Sequence, residues 1–167
     1  MTRRQQDHTV VAALFALVLA LPATVRADLP PRDETDTERA RALKARAEAL
    51  YDQPKAWARV ARLLEESAAL RPADDPEAYD CLVAAGRIRA TLGDARGGQQ
   101  LLVRAAEHAL ARGLVMDAAE AYLDAAFAAA EAHDGAAVEA LSERVRLLAT
   151  APSLSELERS ALLARVG

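Results

Sequence analysis

The chain has 167 residues, is a little over half apolar, and carries a net charge of −4 at pH 7 with a single cysteine. That length suits one domain, and the acidic balance leaves no electrostatic footprint for nucleic acid or anionic lipid. Aromatic and β-branched residues are scarce, which argues against sheet.

Arg3 and Arg4 precede the apolar run Val10 to Leu21, which Pro22 breaks, and Val25 and Ala27 supply small residues ahead of a cut. This is the three-part layout of a secretory signal peptide. Residues 1–27 are therefore expected to be removed after Ala27 by the general export route, leaving a periplasmic or secreted chain with no stable membrane span. A run of this length is too short for a permanent transmembrane helix; an uncleaved anchor is the alternative. Loss of Arg3, Arg4, Arg26 and Asp7 takes the net charge from −4 to −6. Residues 28–35, with Pro30 and Pro31, read as a flexible lead-in.

Beyond the lead-in, helix punctuation recurs. Thr35 with Glu38 and Ser153 with Glu156 have the spacing of capping boxes. Asp75 before Pro76 reads as an N-cap with proline in the first turn, and Gly113 stands where a glycine ends a helix. Seven helices are predicted, at about 36–51, 55–71, 76–92, 95–112, 115–132, 135–149 and 154–165. Short loops between them require antiparallel neighbours.

Gly93, Gly97 and Gly98 crowd one short stretch of an otherwise strongly helix-forming sequence. Each glycine inside a helix costs about 1 kcal/mol relative to alanine. Gly93 is expected to end one helix and make the turn. Gly98 is expected to face a partner helix, where the missing Cβ lets two backbones approach; Gly97 has no assigned role. A phosphate-binding loop would need a preceding strand and a Gly-Lys-Ser/Thr ending, and neither is present.

The pattern also repeats. Gly93-Asp94 aligns with His133-Asp134, and the same offset pairs Leu101 with Leu141 and Arg104 with Arg144. It also pairs Leu82, Ala85 and Gly86 with Tyr122, Ala125 and Ala126, while "RLLEESAAL" from Arg62 matches "QLLVRAAEH" from Gln100. Three helix pairs and a terminal helix make a helical-hairpin array.

These residues resemble the tetratricopeptide repeat. In the middle pair Gly86 falls on the small position of the first helix and Leu92, Gly93 and Asp94 on the turn. Gly98, Leu102 and Ala105 then fall on the small, large and small positions of the second helix. The first pair keeps Tyr51, Trp57, Leu64, Ser67 and Pro72 at the family's spacing but has Glu48 where a small residue is expected. The third keeps Ala126, with Val138 and Ser142 in place of the small and large residues. The repeats are longer than the family's usual 34 residues, by about one helical turn. The resemblance implies an all-α fold: a right-handed α–α superhelix of three antiparallel pairs over residues 36–150, closed by a C-terminal capping helix within 151–167. It further implies a concave groove lined by the first helix of each pair, which holds a peptide or a partner's helix. In this register Val83, Arg87 and Thr91 face the groove from one helix, and Leu123, Phe127 and Glu131 from the next. Phe127 is expected to be buried under the last helix, with the groove as its alternative place. The residues some members use to clamp a carboxylate terminus are not matched.

Nothing in the sequence argues for catalysis, a cofactor or a metal. His108 and His133 have no ligand at metal spacing, and there is no haem-attachment or nucleophile-elbow motif. Cys81 is expected in the core, with pairing between chains or a reactive thiol as the alternatives. The sequence thus points to an exported, non-enzymatic module that binds an unidentified protein. A self-assembling homo-oligomer is the alternative, and a carrier or enzyme using His108, Tyr122 or Glu131 ranks last.

Overall fold

A computed structural model describes residues 34–72 and 74–166. The expected signal peptide with its cut after Ala27, and the lead-in before Glu34, lie outside the described residues. Those residues are all-helical, with no strand among them. The helices are α1 (Glu34–Glu48), α2 (Trp57–Leu70), α3 (Pro76–Thr91), α4 (Ala95–Ala111), α5 (Val115–Glu131), α6 (Gly135–Leu148) and α7 (Glu156–Val166), with a 3-10 turn at Pro54–Ala56.

Two of the expected caps are placed differently. Thr35 lies inside α1, which already begins at Glu34. At α7 the box is Ser155 with Glu158 in place of Ser153 with Glu156. The Ser155 N–H and Oγ donate to the Glu158 carboxylate at 2.7 and 2.6 Å, and the Glu158 N–H donates to Ser155 Oγ at 3.3 Å. The start moves because Leu154 is drawn into the core, its N–H turning back to the Ala151 carbonyl. Asp75 caps α3 as its sequence suggests, accepting from the Glu77 N–H at 2.9 Å.

The turns after α3, α4 and α5 share one geometry. Gly93, Gly113 and His133 carry positive φ of 89°, 74° and 56°. Just after each, the N–H of Asp94, Leu114 or Asp134 donates five residues back, to Arg89, Ala109 or Ala129, at 2.9 Å in each case. This is the left-handed closure that satisfies the last carbonyls of a helix. Because it recurs at equal spacing, α4 and α5 are each 17 residues long, about 25 Å.

Each helix packs on the next in sequence, and α5 also touches α3 and α7. Alanine makes this possible: Ala118, Ala119, Ala121, Ala125, Ala126, Ala128 and Ala129 of α5 are all buried. A close crossing lies between α3 and α4. A Cβ on Gly98 would stand 2.7 Å from the Gly86 carbonyl oxygen and 3.0 Å from the Ala90 nitrogen, so backbone meets backbone there. A Cβ on Gly97 would overlap the Asp94 carboxylate, which caps α4 by accepting from the Gly97 N–H at 3.0 Å.

Polar side chains tie the first three helices together around Arg71, which is only 4 % exposed. Its Nε donates to Ser67 Oγ at 3.3 Å, and Ser67 in turn donates to the Ala40 carbonyl of α1 at 2.8 Å. Arg71 also pairs with Asp75 at 2.8 Å and with Glu77 at the start of α3. At the other end α7 buries Leu162 and leaves Leu157 81 % exposed, so its outer face is not wholly polar.

Candidate interaction groove

On α3, Asp80, Ala84, Arg87 and Thr91 recur at helical spacing and share one face; on α5, Glu120, Asp124, Phe127 and Glu131 do the same. Between these faces lies a cavity of about 320 Å³. Arg87, Thr91, Phe127 and Glu131 line it, joined by Asp124 and by Leu102 from α4. Four of the six expected groove residues are thus brought together. Val83 is half-buried against the core, and Leu123 is 6 % exposed and belongs to the core itself. Leu123 does not line the groove, because it sits to one side of the Glu120–Phe127–Glu131 stripe and turns inward.

Phe127 is 76 % exposed, against the expectation of burial. The last helix does not cover it. Arg165 of α7 meets α5 near Glu120, at 3.7 Å, two turns before Phe127. Phe127 instead occupies the solvent stripe that Glu120 and Glu131 also occupy.

Asp124 was not singled out by the sequence pattern, yet it organises this site. The Arg87 Nε and Nη2 both donate to its Oδ2, at 2.8 and 2.6 Å, spanning α3 and α5. Its signal was available: it stands four residues after Glu120 on the same face. Beside it, the Tyr79 hydroxyl donates to the Asp117 carbonyl at 3.2 Å. Burial, with the negative charges of Asp117 and Glu120, pushes that phenol up to about 12.

A smaller cavity of about 200 Å³ between α1 and α3 is lined by Lys44, Glu48, Tyr51 and Asp80, with Leu64 and Cys81 at its inner side. Cys81 is buried; burial pushes its thiol up, opposed by its 3.8 Å contact with Ser67 Oγ. Tyr51 is exposed in the turn after α1, and its carbonyl accepts from the Trp57 indole at 2.9 Å. Leu64, Gly86, Leu102, Ala105 and Ala126 are buried, and Pro72 is exposed.

Of His108, Tyr122 and Glu131, only Glu131 reaches the larger cavity. Tyr122 is buried, its hydroxyl accepting from Arg144 of α6 at 2.9 Å with the guanidinium 5.3 Å from the ring centre. His108 is half-buried on α4, and His133 is exposed in its turn. Among the described residues no group of three or more His, Cys, Asp or Glu is placed to hold a metal ion, and no helix is long and apolar enough to cross a membrane. Comparison with protein-family models, curated proteins and solved structures gives no match.

Proposed function

We propose that this chain is a non-enzymatic protein-interaction module, exported from the cytoplasm, whose helices form a short array similar to tetratricopeptide repeats. A peptide or helix of a protein partner occupies the groove between α3 and α5. The observation that carries this reading is Phe127: a large apolar ring, 76 % exposed, at the edge of a cavity and flanked by polar side chains. A solvent-facing phenylalanine leaves apolar area hydrated that a partner would cover. The close Gly86–Gly98 crossing, the three matching turns and the neighbour-to-neighbour packing support the array. Export rests on the sequence of residues 1–27.

Self-assembly is the second reading, favoured by the exposed Leu157 and Leu163 of α7. A photo-crosslinking amino acid in place of Phe127, activated in intact producing cells, separates the two. Adducts with a different protein are expected; adducts only with a second copy favour self-assembly, and the absence of any adduct counts against both.

A further inference from the structure

Charge is divided unevenly among the helices. α5 carries Asp117, Glu120, Asp124 and Glu131 and no lysine or arginine, whereas α4 carries Arg96 and Arg104 against the single carboxylate of Glu107. Along the groove the one cation of α3's inner face, Arg87, is already matched by Asp124 at 2.6 Å. Glu131, one turn beyond Phe127, and Asp80, on the same face of α3, make no ion pair with described residues. An exposed phenyl ring with an unmatched carboxylate four residues on offers a cation two attractions at once, the ring's quadrupole and the carboxylate.

Resting on the groove reading above, we infer that the occupant is a basic amphipathic polypeptide segment: an aliphatic side chain enters the cavity beside Phe127 and Leu102, and an arginine or lysine lies over the Phe127 ring within reach of Glu131. The acidic surroundings disfavour an acidic segment by like-charge repulsion. They also set an ionic-strength dependence, since Glu131 and Asp80 are solvent-exposed and open to screening.

Three synthetic helical peptides with identical leucine spacing and with arginine, glutamine or glutamate at every polar position test this by fluorescence anisotropy against the full chain. The arginine peptide is expected to bind at least about tenfold more tightly than the glutamine peptide, and the preference should shrink as salt rises. Glu131→Gln should narrow the gap between those two peptides, and Phe127→Ala should weaken both, with circular dichroism unchanged in each variant. Equal binding of the arginine and glutamine peptides, both weakened by Phe127→Ala, overturns the cationic assignment and leaves the groove standing. Tighter binding of the glutamate peptide does the same. No binding of any peptide up to about 1 mM overturns both readings. A sedimentation mass that doubles without peptide and reverts in Phe127→Ala assigns the groove to a second copy and overturns this occupant.

Discussion

Glycine 98 and histidine 133 occupy positions where one atom decides the energetics. At Gly98 an added Cβ meets the Gly86 oxygen at 2.7 Å and the Ala90 nitrogen at 3.0 Å, and both are backbone atoms that cannot swing aside. Alanine there gains about 1 kcal/mol of helix propensity but overpacks the crossing at a cost of about 1–3 kcal/mol. Gly98→Ala should therefore lower the melting temperature; an unchanged or raised value would mean that α3 and α4 separate easily. His133 is the reverse case. It holds φ of 56° in a turn where Gly93 and Gly113 supply glycine, and a side chain in that conformation is strained. His133→Gly should stabilise the fold by about 0.5–1 kcal/mol, after the extra freedom glycine has in the unfolded chain is counted. Chemical denaturation of the two variants beside the natural chain checks both signs.

The helices begin and end on chemistry that is local, and for that reason their existence was readable from the sequence. Asp75-Pro76 and Gly93-Asp94 mark boundaries with two signals each, and the structure follows both. Ser153 against Ser155 was not separable by spacing alone, because both have a glutamate three residues on. Burial of Leu154 chose between them, and that is a tertiary fact. Caps also set a pH dependence. At Asp94 the Arg89 hydrogen bond at 2.7 Å and the Gly97 N–H hold the carboxyl below its ordinary 3.8. At Asp75 burial pushes the other way, but the Arg71 hydrogen bond and the Glu77 N–H prevail, and it too lies below 3.8. Folded values below unfolded ones mean stability that is complete above about pH 4 and is lost as pH falls through the folded values. The urea midpoint should drop on acidification below about pH 4, and less steeply in Asp94→Asn, which starts from a lower midpoint at pH 7. A variant with the same slope as the natural chain would assign the acid sensitivity elsewhere.

At the scale of the whole molecule, packing runs from neighbour to neighbour, so the site could be only half read in advance. A repeat places a residue on a face, which is how Arg87, Thr91, Phe127 and Glu131 could be grouped. It does not say whether another helix lies over that face, and so Phe127 was expected under α7, which in fact reaches α5 near Glu120. Nor does it locate pairs formed between helices, such as Arg87 with Asp124 or Arg71 with Asp75 and Glu77. The same linear packing shapes the stability profile. α4 and α5 have a packed helix on each side in sequence, whereas α1 packs on α2, and α7 on α6 and α5. In a chain of nearest-neighbour interfaces the ends open at lower free energy than the middle. Hydrogen exchange at neutral pH should find the slowest amides at the buried positions of α4 and α5, among them Leu102, Ala105, Ala125 and Ala129. Exchange should be faster in α7, and in α1 before Ala40, the point at which the Ser67 hydrogen bond ties that helix to α2. Equal protection from α1 to α7 would instead mark one cooperative unit. Loss of the Ser67 bond in Ser67→Ala would then speed exchange in all helices together, where a linear array confines the change to α1 and its neighbours.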